Sequence, residues 1–389
     1  MGEGLYSSFD DVAILEAVRT PWCDYCGALG LVSPTDLGIK VGREVLRRAE
    51  IDPAAVDSVL AGCVAQASFD AYMLPRHIGL YSGVPQAVPA LGVQRICGTG
   101  FELLRQAGEQ IAAGGADLAL CVAAESMSRN PIAAYTHRGG FRLGAGVEFK
   151  DFLWEALFDP AAGVDMIGTA ENLAQRYGVF REDADAYALR SFELALAAQN
   201  EGVFAGEIVS VHSESFELDG YQPRGIALPR GVESLEQDSH PRPTSLTALA
   251  RLRAIHAGGV QTAGNSCAVV DGAAAALVAS ASAAAGRKPL ARLLATAVVG
   301  VAPELMGIGP VPAIRLLLER SGLRLDDIAR FEINEAQAAQ VLAVQRELQL
   351  DPQRLNQQGG SIALGHPLAA TGLRLTLSLA RQLRAANQR

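Results

Sequence analysis

Short apolar, β-branched runs alternate with helical patterns along the first third of the chain. Val12-Ala13-Ile14-Leu15 is followed by a helix-period stretch from Pro34 to Glu50, and then by the apolar run Val56 to Val64. Runs of this length, separated by amphipathic stretches, predict β/α units around a mostly parallel sheet. The segment from about Asn130 to Pro243 breaks the rhythm. It is rich in Gly, Pro, His and aromatic residues and holds one clear amphipathic helix, Arg181 to Glu201; the alternation resumes after Gly258. The pattern predicts an α/β protein interrupted by an insertion of different character.

A faint internal repeat runs through the regular parts. Leu46 to Asp52, leading to Val56-Asp57-Ser58-Val59-Leu60, resembles Leu318 to Arg324, leading to Ile328-Ala329-Arg330-Phe331-Glu332. Thr99-Gly100-Phe101 opens a helical stretch ending near Ala113, and Thr371-Gly372-Leu373 opens one of similar length ending near Ala385. Two matches in the same order suggest duplicated halves. In the first half a strand candidate, Leu118 to Val122, follows the helix. The second half reaches Arg389 where its counterpart is expected to begin, so the natural chain is expected to continue further.

Composition narrows the function classes. At 389 residues the chain is long enough for two or more domain-sized units. A hydrophobic content of 49% with 19% charged residues is that of a globular protein with large buried elements. The net charge of −9 argues against nucleic acid and anionic membranes as partners. Six cysteines follow no disulfide-framework spacing, which favours a reducing compartment. Met1 to Asp11 lacks an apolar signal-peptide core, and Gly2 is followed at position 6 by Tyr6 where myristoylation needs Ser or Thr. The apolar stretch Ala268 to Ala285 carries Asp271 and is too short to span a bilayer. The expectation is a cytoplasmic protein.

Cys97 is the first chemical candidate. It lies in Val93 to Phe101, between an apolar run and a helical stretch, and the flanking Gly98 and Gly100 allow a sharp turn. A cysteine at a helix N-terminus sees partial positive charge, which favours the nucleophilic thiolate. By itself it could equally be a buried structural cysteine. His366, in Gly359 to Pro367, precedes the second repeat's helix at the point equivalent to Cys97. Two such helix starts can converge as a nucleophile and base, or the histidine can simply cap its helix. Asn334, in Glu332 to Ala338, stands at the end of a strand candidate, where α/β folds place ligand-contacting groups; it could also be a turn or cap. The small residues of Thr262 to Ala268 suit either close backbone contact with an extended ligand or tight sheet packing.

Taken in order, these motifs resemble the thiolase family of 3-ketoacyl-CoA and acetoacetyl-CoA thiolases. The resemblance rests on Cys97-Gly98-Thr99-Gly100, Ala124 to Ser128, Thr169 to Asn172, Thr262 to Asn265, Asp271 to Ala274, Asn334-Glu335-Ala336 and Gly365-His366-Pro367. It covers the chain from near residue 12 onward. It implies the thiolase fold, two pseudo-symmetric βαβαβαββ halves in five α-β-α-β-α layers with an inserted loop domain. The halves are expected at 9–128, completed by 259–286, and at 287–389, with the CoA-binding insertion at 129–258. By resemblance Cys97 is the acylated nucleophile, His366 its base, and Asn334 the holder of a water at the enolate oxygen. Met166, Ala336 and Gln337 resemble pocket positions. Arg242 resembles a position near the adenosine diphosphate end of CoA, and Ala263, Ser266 and Cys267 resemble the pantetheine tunnel. The implied reaction exchanges acyl groups between acyl-CoA and CoA, with CoA as substrate and no other cofactor, in a homodimer or homotetramer.

The chain also departs from the family. The resemblance leads one to expect a second reactive cysteine in a Cys-x-Gly turn near the C-terminus, and none follows Cys267. Gln337 stands where the family has Phe, Asp165 where short-chain members often have His, Cys267 where Ser is common, and His256 at an aromatic position of the CoA site. These differences bear on acyl specificity, and a polar or branched acyl group is as open as a plain short chain. They also leave open a non-catalytic acyl-CoA-binding subunit. A decarboxylating condensing enzyme is disfavoured, because that class pairs two histidines with the cysteine. Cys23-x-x-Cys26 reads as two unrelated loop cysteines, and Arg47-Arg48 as a solvated helix face.

Overall fold

The computed structural model describes residues 4–65, 68–135 and 137–388; Gly2 and Arg389, on which the lipidation and chain-end readings fall, lie outside them. After a short, partly exposed first strand, the apolar runs of the first half become strands that alternate with helices. These are β1 (Leu5–Ser8), β2 (Val12–Arg19), α1 (Pro34–Arg48), β3 (Ser58–Gly62), α2 (Leu74–Tyr81), β4 (Ala90–Gly92), α3 (Thr99–Ala112) and β5 (Leu118–Ser126). Ser33 caps α1 by accepting from the Thr35 amide, and Pro34 opens the first turn, where its missing N–H costs nothing. The insertion holds α4 (Met166–Tyr177) and α5 (Arg181–Asn200). After it come β6 (Val270–Ser280), β7 (Ala291–Arg292), β8 (Ala295–Val298), α6 (Pro310–Ser321), α7 (Ala338–Leu348) and α8 (Thr371–Ala385).

The main sheet has the order β7-β2-β6-β5-β3-β4. Its β/α units are parallel: β3 runs parallel to both β5 and β4. The central strand is not. β6 lies between β2 and β5 and is antiparallel to both, with Ala275 opposite Val18 on one side and Val122 on the other. The expected mostly parallel sheet is therefore mixed. β6 enters after the long insertion rather than through a helical crossover, so nothing obliges it to run with its neighbours.

The composition of β6 explains how helices cover both of its faces. Ala273, Ala275 and Leu277 join the core formed with Leu37, Val41 and Val45 of α1. Ala274, Ala276 and Val278 join the core formed with Leu103, Leu104 and Ala107 of α3. This is the period-two alternation of a strand buried on both sides, with alanines small enough to let helices approach.

The two repeats meet back to back. A Cβ added at Gly100 would lie 2.4 Å from the Leu373 amide nitrogen, and one at Gly372 would lie 2.5 Å from the Phe101 nitrogen. The contact is reciprocal, as expected of equivalent positions across a pseudo-twofold axis, and it makes α3 and α8 a central layer. The other repeat match also holds: α1 and α6 are each followed by a 3₁₀ turn, Pro53–Ala55 and Leu325–Asp327. In the second half, hydrogen-bonded pairing among the described residues is limited. β8 pairs antiparallel with β1, and Phe331 bridges Leu355.

Arg48 corrects one sequence reading. Instead of facing solvent, it donates to the Gly206 and Ile208 carbonyls and ties the insertion to α1, while Arg47 stays exposed beside Glu44.

Because the Gly372 contact is backbone against backbone, Gly372→Ala should lower stability by about 1–3 kcal/mol in denaturant unfolding. Gly146→Ala, at a glycine with nothing within 4 Å, should stay within about 0.5 kcal/mol of the parent.

Candidate active site

Cys97 sits on a tight turn that α3 holds from below. Ile96 adopts φ 45°, a costly conformation for a β-branched residue. The turn is clasped by Thr99, whose Oγ1 accepts from the Arg95 amide (2.8 Å) and donates to the Ile96 carbonyl (2.7 Å). The Gly98 amide donates to the Arg95 carbonyl at 2.9 Å. Arg95 Nε donates to Glu102 Oε2 at 2.9 Å and fastens the turn to the helix. Beneath it the buried Glu125 carboxylate accepts from Val64 and Ala65 of one half and Ala369 of the other.

The His366 turn is built the same way from the second repeat. His366 Nδ1 lies 2.6 Å from Thr371 Oγ1, and Thr371 Oγ1 lies 3.3 Å from the Pro367 carbonyl. Thr371 is the repeat counterpart of Thr99, and each hydroxyl clasps the turn before its own helix. With the Thr371 proton directed at Pro367, Nδ1 carries the imidazole N–H and Nε2 is left as the acceptor. A directed chain arrives at Nε2 from the other side. Arg374 Nη2 donates to Ser361 Oγ at 3.4 Å, and Ser361 Oγ donates to Asn334 Oδ1 at 2.7 Å. Asn334 Nδ2 then faces His366 Nε2 at 3.4 Å. Ser361 thereby fixes which end of the Asn334 amide meets the imidazole. Glu332 pairs with Arg374 at 3.5 Å behind this chain.

A cavity of about 760 Å³ opens over Cys97, and Met166, Asn334, Ala336 and Gln337 line it too. Ser266 stands behind Gln337, with 2.5 Å between Ser266 Oγ and Gln337 Oε1. Cys267 donates its amide to the Ala336 carbonyl, and His366 donates its own to Ala268, so the 266–268 strip joins the cavity wall to the His366 turn. Cys97 and His366 make no direct hydrogen bond among the described residues; Asn334 connects the cavity to the imidazole. Two of the sequence-designated residues lie elsewhere. Ala263 is exposed on its turn, and Arg242 stacks over Phe192 at 5.3 Å, beside His240 and off the cavity wall.

Several motif residues have structural work. Asn265 accepts from the Thr262 amide and donates to Asp185, holding the 262–265 turn. Glu171 accepts from the Val260 and Gln261 amides. Glu335 accepts from Tyr187, Ser191 and Asn356 and fills the space a side chain at Gly360 would take. His256 Nε2 lies 3.2 Å from Asp165 Oδ2, and Asp165 also caps α4. Cys23 is buried in a short strand beside β6, while Cys26 is exposed.

The electrostatics overturn one expectation. The helix N-terminus was expected to favour a Cys97 thiolate, but burial pushes the thiol up to about 12, and the nearby Glu125 charge adds to it. Removal from water outweighs a partial dipole charge. Burial likewise pushes Cys267 up to about 12, with Cys97 the next contributor, so the two sulfurs lie within electrostatic reach. His366 moves the opposite way, to about 3, through burial and then the Arg374 charge. Thiol and imidazole are therefore both neutral at rest. That suits a base which takes the proton only as the sulfur bonds to carbon.

Sequence reasoning did not single out Ser361, Thr371, Thr99 or Glu125 as site residues. The threonines carried a signal, being the same residue at the same place in both repeats. Ser361 and Glu125 lie within the motifs Gly359 to Pro367 and Ala124 to Ser128, but what each side chain bonds came only from the fold.

The comparisons agree with this architecture. The family models for the thiolase N-terminal and C-terminal domains match residues 12–282 and 287–389. The mitochondrial 3-ketoacyl-CoA thiolase of Bos taurus is 40% identical over 96% of this chain and 92% of its own length. The 3-oxoadipyl-CoA/3-oxo-5,6-dehydrosuberyl-CoA thiolase of Escherichia coli is 41% identical over 97% and 94%. The crystal structure of human mitochondrial 3-ketoacyl-CoA thiolase in complex with CoA superposes with a TM-score of 0.92 at 38% identity, covering 100% of this chain and 94% of that one.

A thiol at about 12 should make alkylation of Cys97 by iodoacetamide climb with pH beyond 9, with no plateau near neutrality. Mass spectrometry of the Cys97 peptide across pH 6–10 checks this, at about those limits. A plateau below pH 7 would reveal a resting thiolate.

Proposed function

This chain belongs to the thiolase family of acyltransferases, and we propose that it transfers acyl groups between 3-ketoacyl-CoA and CoA through an acyl-Cys97 intermediate. The observation that carries the proposal is the convergence of the two repeat turns. One presents Cys97 to an apolar cavity; the other presents His366 Nε2 as an unprotonated acceptor, joined to that cavity by Asn334.

In the thiolytic direction, the Cys97 sulfur attacks the 3-keto carbon as its proton passes to His366. The bond between C2 and C3 then breaks. The acetyl-CoA enolate leaves and takes up a proton at C2, matching the one removed from the thiol. CoA next attacks the acyl-Cys97 thioester, loses its thiol proton to the base, and restores the free cysteine as acyl-CoA departs. Condensation is the reverse. The developing enolate oxygen needs donors in a water-poor site, and Asn334, oriented by Ser361, supports that role through a bound water.

Met166, Ala336 and Gln337 serve as the acyl pocket in this reading, with Ser266 and Cys267 behind them. Ala263 and Arg242 meet the outer parts of CoA. The insertion at 129–258 carries the CoA site between halves at 9–128 with 259–286, and at 287–389. A homodimer or homotetramer in the cytoplasm completes the proposal; the six cysteines, without a disulfide-framework spacing, support the reducing compartment. No described helix is long and apolar enough to cross a membrane. Relatives at 40% and 41% identity carry names that specify 3-ketoacyl-CoA and 3-oxoadipyl-CoA, so both acyl classes come into consideration.

The purified protein, given 3-ketoacyl-CoA and CoA, should consume the ketoacyl thioester and carry an acyl mass on Cys97 when CoA is withheld. Cys97→Ala should abolish the adduct and lower turnover by at least about a thousandfold. Turnover that survives this substitution would defeat the acyl-Cys97 mechanism.

A further inference from the structure

The cavity over Cys97 has mostly apolar walls, yet two carboxamides stand on one side of it. Gln337 precedes α7 and Gln340 lies in its first turn, three residues on, which places both on one face of the helix start. Both are buried, 6% and 5% exposed.

Neither amide is satisfied within the protein. Gln340 Oε1 is buried without a hydrogen-bond partner. The side chain has little room to swing away, since Gly307 packs so closely that a Cβ there would lie 2.6 Å from Gln340 Cγ. Gln337 is held at one end only, by Ser266 Oγ. The Ser266 hydroxyl has a single proton and also lies 2.7 Å from the Thr262 carbonyl. Whichever oxygen takes that proton, the far end of the Gln337 carboxamide has no partner among the described residues. The buried Gln340 oxygen left unpaired is costly, and in native proteins such a group usually marks the place of a missing partner; the free end of Gln337 stands open beside it.

We infer that Gln337 and Gln340 form a polar subsite for an oxygen on the acyl chain, and that this enzyme prefers 3-ketoacyl-CoA substrates bearing a neutral oxygen function over unfunctionalised alkyl chains. The inference rests on the thiolase reading and deepens it to a substrate class. A hydroxyl suits the subsite because it both donates and accepts, and so matches either orientation of the amides. A carboxylate does not. The cations on the cavity wall, Arg95 and Arg105, are both bonded to Glu102, which leaves neither free to pair with a carboxylate.

The test compares 3-oxohexanoyl-CoA with its ω-hydroxy and ω-carboxy analogues. In the unmodified protein, kcat/KM for the hydroxy substrate should exceed that for the plain one by about tenfold, the scale of a buried hydrogen bond. The carboxy analogue should fall below the hydroxy one. Gln337→Leu and Gln340→Leu should each draw the hydroxy-to-plain ratio towards one. A ratio of one in the unmodified protein, a ratio unmoved by both substitutions, or a preference for the carboxylate would overturn the inference. So would a Gln337→Leu effect confined to an equal rise in KM for CoA with every substrate, which would put the amide on the pantetheine arm. Absence of turnover on all three substrates by folded protein would instead defeat the thiolase reading, and this inference with it.

Discussion

The approach of α3 and α8 at Gly100 and Gly372 governs the rest of the molecule. At that point backbone meets backbone, with no room for a side chain on either helix. Each helix carries a reactive residue on the turn before its first residue, so bringing the two N-terminal ends together unites chemistry from distant parts of the chain. Neither half offers this alone. Dense packing at the axis leaves little freedom in how the two turns are disposed, which is what a proton transfer requires.

Around that axis, the polar groups form chains with a direction. The relay from Arg374 through Ser361 and Asn334 ends on His366 Nε2, and the opposite nitrogen is committed to Thr371. Burial keeps the imidazole neutral and the thiol protonated. The site thus rests uncharged in a low-dielectric setting, and charge develops only with substrate present. A resting thiolate would be more exposed to chance alkylation and oxidation. The cost is that the base must be well aligned, and the Thr371 clasp and the Asn334 chain provide that alignment.

The linkage sign of these groups is mixed. His366 takes up a proton in the unfolded chain below its ordinary 6.5 but not in the folded one until about 3, so its contribution to stability falls as pH drops through that window. Glu332, raised to about 7 by burial, holds a proton in the folded state that the unfolded chain has released above 4.5, so its contribution rises as pH falls from 7. The two oppose each other between roughly pH 4.5 and 6.5.

Much of the architecture was legible in the residues. Hydrophobic periodicity located the strands and helices of the first half, and the repeat foretold the pairing of Thr99 and Thr371, because local pattern and chain duplication are both written linearly. The motif series around Cys97, Asn334 and His366 pointed to the chemistry. Three matters were decided only by tertiary structure. The direction of β6 depended on how the chain returns from its insertion. The protonation state of Cys97 depended on burial, which outweighed the helix dipole that local sequence suggested. The structural parts of Asn265, Glu171 and Ser361 depended on side-chain hydrogen bonds to partners up to 90 residues away. Such effects arise from desolvation and long-range contact, and neither quantity exists until the chain has closed around it.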